Sequence, residues 1–185
     1  LNFSYPVYTP ELGFGAALFE DAYSYTEPAS IAEIEAGVKN FAEGYYQCSG
    51  NDTHSNLVIG VGTNNKALSI TSKEMTTAHG AAWSAMVSNI NSWAVKEGIF
   101  HQVQAYGASN MEVGWNTPEL TRAWLSGFEQ NGENFMLHFG DASGCPYEDN
   151  PHWQCNNNWE LEDLWYVSWG ASSALPLPLI YLNNG

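Results

Sequence analysis

Val103-Gln-Ala-Tyr-Gly-Ala-Ser-Asn-Met-Glu112-Val-Gly-Trp115 reads as a buried strand that ends on a carboxylate set among glycine and small polar residues. Two other stretches repeat the pattern, Leu12-Gly-Phe-Gly-Ala-Ala-Leu-Phe-Glu20-Asp21 and Phe135-Met-Leu-His-Phe-Gly-Asp141-Ala-Ser-Gly-Cys145. Amphipathic helical segments separate the three. The strands are therefore expected to run parallel, with their carboxyl ends on one rim. Acids gathered on such a rim are where a hydrolase keeps its general acid and its base or nucleophile.

The segments between supply the helices. After the cap signal Glu27-Pro-Ala-Ser30, Ile31, Ile34, Val38, Phe41 and Tyr45 recur at helical spacing. Leu57-Val-Ile-Gly-Val61 reads as a strand buried on both faces and runs into the turn Gly62-Thr-Asn-Asn65. Trp83, Met86, Val87, Ile90, Trp93 and Ala94 form one stripe, which predicts a helix over 77–97 that Gly98 ends. Thr117 and Pro118 mark a helix start, with Leu120, Ala123, Trp124 and Phe128 as its apolar face. Residues 1–11 read as an extended lead-in, and further strands are expected at 14–19, 102–106, 135–139, 165–169 and 177–182.

About six strands and four helices make an α/β chain, read as one domain over 1–185 with the form of a partial or atypical (β/α) barrel of mostly parallel strands. A regular barrel closes with eight units in roughly 250 residues. The chain is therefore expected to be a barrel truncated at its carboxyl end, an open parallel sheet, or a piece completed by another chain.

Composition narrows the partners. A chain of 185 residues with 44% hydrophobic content can bury a real core. Twenty acidic against 5 basic residues give a net charge of -15, which argues against a nucleic-acid backbone or an anionic membrane surface. Neutral polymers fit better, and 8 Trp with 10 Tyr supply flat faces for stacking on sugar rings. The sequence holds no apolar run long enough for a membrane span. It begins at Leu1 with neither an initiator Met nor a basic leader, as expected if a signal peptide or an upstream segment has been removed, and a secreted, extracellular protein is expected. Cys145 and Cys155 bracket a loop with Gly144, Pro146, Asn150 and Pro151, a disulfide ring suited to an oxidising compartment, and Cys48 is left over. Metal-ligand spacing is limited to the weak His152 and Cys155 pair, so no metal is expected. Phosphate-cradling and Gly-x-Ser-x-Gly motifs are missing, which argues against a nucleotide cofactor and serine-hydrolase chemistry.

Among the candidate site residues Glu112 comes first. An acid just beyond an apolar strand and beside Trp115 is desolvated, which raises its pKa toward general-acid use. Asp141 is the partner base or nucleophile, though Gly140-Asp-Ala-Ser-Gly144 is also ordinary turn chemistry. Glu20 is a third acid at the end of the first strand. Asn64, Asn65 and Asn110 can hydrogen-bond sugar hydroxyls or simply form loops, and Trp115, Trp165, Tyr166 and Trp169 are stacking candidates near strand ends. His138 reads as a core histidine.

The segments Val61-Gly-Thr-Asn-Asn65, His79-Gly-Ala-Ala-Trp83, Ala105-Tyr-Gly-Ala-Ser-Asn-Met-Glu112, Phe139-Gly-Asp-Ala-Ser-Gly-Cys-Pro146 and Trp165-Tyr-Val-Ser-Trp-Gly170 together resemble a group of secreted bacterial proteins. These resemble glycoside-hydrolase-type barrels, distantly the lysozyme-like family with catalytic acids at strand ends. The resemblance covers roughly residues 55–182. It implies hydrolysis of a cell-wall or extracellular polysaccharide by a carboxylate pair. Where the lysozyme-like families carry Asp-x-Glu, this chain has Asn110-Met-Glu112. That amide opens two alternatives: a non-catalytic carbohydrate-binding module, or a surface or fibre subunit whose open strand edges pair with copies of itself.

Overall fold

The computed structural model describes residues 5–19, 25–49, 52, 54–66, 70–146 and 155–177. Four strands, β4 (Leu57–Asn64), β5 (Val103–Asn110), β6 (Met136–His138) and β7 (Ala174–Pro176), lie side by side in chain order and all run parallel. Leu57 pairs with Val103 and Asn64 with Asn110, so the carboxyl ends of β4 and β5 finish level. Ser109 pairs with His138 and His138 with Pro176, which brings β6 and β7 to the same rim.

A separate antiparallel sheet precedes them, formed by β1 (Pro6–Thr9), β2 (Gly13–Phe19) and β3 (Tyr25–Ser30). This corrects one expectation. The first predicted strand does form, but it pairs antiparallel with the stretch read as a lead-in, so the described strands divide into a four-stranded parallel sheet and a separate three-stranded antiparallel one. The physical reason lies in the turn between β1 and β2. Gly13 takes φ +72°, and the Thr9 hydroxyl accepts the Leu12 N–H, closing a hairpin that local chemistry alone sets.

Helix α1 (Ile31–Cys48) starts at a capping box between Ser30 and Glu33 and buries Ile34, Val38 and Ala42. Helices α2 (Lys73–Lys96) and α3 (Pro118–Glu129) cross very closely. A Cβ at Gly80 would overlap the Trp124 carbonyl, and one at Gly127 the Thr77 carbonyl, so two glycines let the backbones meet. Val103, Ala105, Gly107 and Ser109 of β5 all point to the helical side and are buried. Phe128 fills the space over Gly107, and the Trp83 indole donates to the Val61 carbonyl at 2.8 Å.

The predicted strand over 165–169 is a helix. α4 (Leu161–Trp165) runs straight into one π turn, Tyr166–Gly170, with the Ala171 N–H reaching the Tyr166 carbonyl. Leu161, Trp165 and Trp169 are exposed at a spacing of four and Val167 is buried, which is helical periodicity that the aromatic content concealed. Asp163 stabilises the start by accepting the Glu160 N–H at 3.0 Å, and Arg122 of α3 grips the same carboxylate at 2.7 Å. The strand expected over 177–182 starts instead at Ala174, and 178–182 lie outside the described residues.

Candidate functional site

The rim is built by backbone-like side chains. Asn65 follows β4, and its side chain continues the ladder beyond the strand ends. Its Oδ1 accepts the Glu112 N–H at 3.0 Å, and its Nδ2 donates to the Glu112 carbonyl at 3.0 Å. Nδ2 also reaches the Thr121 hydroxyl at 3.1 Å, while Asn116 donates to the Asn65 carbonyl at 3.0 Å. Asn65 is buried, so this latch is kept from water and fixes where Glu112 leaves the sheet.

Glu112 is half-buried. Burial pushes its carboxyl above the ordinary carboxylate value; the hydrogen bond from Asn110 opposes this, the negative charge of Asp141 adds to it, and Lys66 opposes it. Asp141 thus lies near enough for its charge to act on Glu112. The Asn110 Nδ2 donates to Glu112 Oε1 at 3.0 Å, and the Asn110 Oδ1 is buried with no hydrogen-bond partner. An orphaned buried acceptor costs about 1–3 kcal/mol. Here it sits one hydrogen bond away from the candidate acid.

The approach of Asp141 depends on Gly140. A Cβ there would overlap the Met111 carbonyl and come within 2.7 Å of the His138 ring. Glycine thus lets the loop after β6 lie against the end of β5. Asp141 is exposed, and its Oδ1 accepts the Ser143 N–H at 2.8 Å, the turn its sequence context predicts. The loop is closed by the Cys145–Cys155 disulfide, as the spacing predicts, and by the Asn156 N–H donating to the Gly144 carbonyl at 3.0 Å. Cys48 is free and exposed.

His138 lies within the sheet at the same rim and is buried. Its ring packs beside the Ser109 carbonyl at 3.3 Å, and burial holds its pKa below the ordinary histidine value. Trp115 is half-buried one turn beyond Glu112, its N–H donating to the Glu112 carbonyl at 3.2 Å. The Asn64 Oδ1 accepts the Lys66 N–H at 3.0 Å, and so serves the turn that carries Lys66 toward Glu112.

Tyr166 and Trp169 are not on this rim. They belong to the helix that crosses from the rim back to the start of β7, where Ser172 and Ser173 bond Glu129 at the end of α3. Tyr166 lies under the Arg122 guanidinium at 4.4 Å. Glu20 falls outside the described residues. The structure thus gathers Glu112, Asp141, Asn110, Asn64 and Trp115, and it separates Tyr166 and Trp169 from them. Sequence reasoning missed Lys66 and undervalued Asn65; their place directly after a strand ending at Asn64 was the available signal. Among the described residues no three His, Cys, Asp or Glu side chains gather as a metal ion would require, and no helix is long and apolar enough to cross a membrane.

Comparison of the chain with protein-family models, curated proteins and solved structures finds no match in any of the three.

Proposed function

We propose that this chain is a secreted, glycan-directed protein whose rim hydrolyses glycosidic bonds, with Glu112 as the general acid and Asp141 as its carboxylate partner. The observation that carries the reading is the electrostatic asymmetry of the pair. Glu112 is half-buried and held toward its protonated form, partly by the charge of Asp141, while Asp141 is exposed to water. Glycoside hydrolysis asks for one carboxyl that donates a proton and one carboxylate that activates water or attacks the sugar. Half-buried Trp115 follows the acid by one turn and is the stacking candidate in this reading. The disulfide fits an oxidising compartment.

The protonated form of Glu112 is the active one in this scheme, so activity holds at acidic pH and falls as pH rises through its raised pKa. Sugar release from neutral polysaccharides should drop about 100-fold or more in Glu112→Gln and in Asp141→Asn. Undiminished release in Glu112→Gln refutes the assignment. One observation favours a second reading, a non-catalytic carbohydrate-binding module. Asp141 Oδ1 is already committed to the Ser143 N–H, and an amide occupies position 110. Retention on a polysaccharide with no release by the unmutated chain selects that reading.

A further inference from the structure

We propose that the outer side of α4 is a second, non-catalytic contact for neutral glycan chains, formed by the indoles of Trp165 and Trp169; this rests on the glycan-directed reading above. Trp165 is 58% exposed and Trp169 67% exposed, although they are among the largest apolar side chains in the protein. Leu161, Trp165 and Trp169 stand at helical spacing along one side, spanning about 12 Å. The ridge starts near the rim, where the Trp159 indole donates to the Asn116 carbonyl at 2.7 Å. It ends beside the first residues of β6 and β7, where the Met136 N–H donates to the Ser173 carbonyl.

The rings are held in place. A Cβ at Gly170 would stand 2.5 Å from the Trp165 ring, so the six-membered ring of the indole lies against bare backbone while the residue stays exposed. The π turn that carries Trp169 is fixed from beneath by buried Val167, by Arg122 over Tyr166, and by the Arg122 to Asp163 ion pair. π turns cost hydrogen-bond geometry and recur at functional positions. Here the turn keeps Val167 inward while Trp169 points out.

Size and charge choose the occupant. Two indoles at these exposures offer about 250–300 Å². A stable protein partner or second copy needs about 800 Å² on each side. Among the described residues, exposed Glu160, Glu162 and Ser172 and half-exposed Ser168 neighbour the rings in sequence, and Leu161 adds to the apolar ridge. The flanking carboxylates and the net charge of -15 exclude an anionic polymer. A neutral saccharide, with an apolar ring face and hydroxyls at its edge, matches both the flat indoles and the polar border.

Affinity electrophoresis of the full chain through gels containing neutral polysaccharides (xylan, mixed-linkage β-glucan, galactomannan), with pull-down on insoluble cellulose and chitin, tests this. At least one polymer should retain the protein. Trp165→Ala/Trp169→Ala should weaken retention at least tenfold with an unchanged melting temperature, and Trp169→Ala alone should weaken it in part. Glu112→Gln should bind as the parent does, so a loss of sugar release there with binding intact separates the two sites. Equal retention of the double variant overturns the proposal, as does failure of every polymer to retain the parent. So does a dimeric parent that the double variant renders monomeric in sedimentation, since the ridge is then a self-contact.

Discussion

His79 is fully buried and joins three elements through its two ring nitrogens. The Trp124 indole donates to Nδ1 at 2.9 Å, and an indole can only donate, so the ring proton sits on Nε2, which donates to the Gly15 carbonyl at 2.7 Å. Protonating Nδ1 would set two N–H groups against each other within a dry core. Burial accordingly lowers the pKa of His79 from 6.5 to about 4, with the Gly15 bond opposing it. Between those values the unfolded chain takes up a proton that the folded chain refuses, so stability falls as pH falls. Each pH unit across that window costs about 1.4 kcal/mol, which makes the loss between pH 7 and pH 5 about 2 kcal/mol. Urea unfolding of the parent and of His79→Gln at both pH values isolates this effect, because His138 and every carboxylate are common to the two proteins. The parent should lose about 2 kcal/mol more than the variant. Equal losses would refute the argument and show that the His79 contacts do not hold the neutral ring.

The close crossing of α2 and α3 predicts that Gly80→Ala and Gly127→Ala each destabilise by about 1–3 kcal/mol, read as a lower urea midpoint with an unchanged slope. Gly37→Ala, which meets open space on α1, should be neutral or stabilising in the same assay. The side-chain ¹³C resonance of Glu112 should titrate above the ordinary carboxylate range; Asp141→Asn should bring it down by removing repulsion, and Asn110→Leu should take it up by removing the donated hydrogen bond. No movement in either variant would mean that the three groups do not share one site. Reduction of Cys145–Cys155, ten residues apart in sequence, should cost about 3 kcal/mol by the chain-entropy argument, visible as a lower melting temperature in reductant.

The three long helices and the parallel strands β4 to β6 were legible because their patterns were strong, whereas β7 was not. The Trp83 stripe needs no tertiary context to read as one face of a helix, and β4 and β5 are apolar runs bounded by glycine and polar turns. The failures have a common cause in short segments. Residues 165–169 are aromatic and β-branched, and over five residues such a run fits a strand as well as a helix. What decided it was Arg122, 41 positions before Asp163, gripping that carboxylate at the start of α4. A pairing at that separation leaves no local trace. The direction of β2 failed similarly. A strand's apolar content shows that it is buried, whereas its partner, here β1 across a three-residue turn, is set by hairpin closure at Gly13.

The rim shows why its acids were easier to find than the groups that place them. A carboxylate after an apolar run stands out by charge, but an asparagine side chain is chemically a peptide group and, in sequence, marks only a turn. Two asparagines act as pieces of backbone. β6 spans three residues and leaves the lower half of β5 unpaired on that side among the described strands, and there the Asn91 side chain both accepts the Ala105 N–H and donates to its carbonyl, each at 2.8 Å. Asn65 does the same for Glu112 at the upper end. β5 is thus a strand completed at both ends by amides from its neighbours, and the candidate acid inherits its position from the second of them. Asn110 belongs to the same logic. It gives Glu112 a neutral hydrogen-bond donor in place of a second negative charge, and that leaves burial, with a smaller contribution from Asp141 on a loop drawn in by Gly140, to raise the Glu112 pKa.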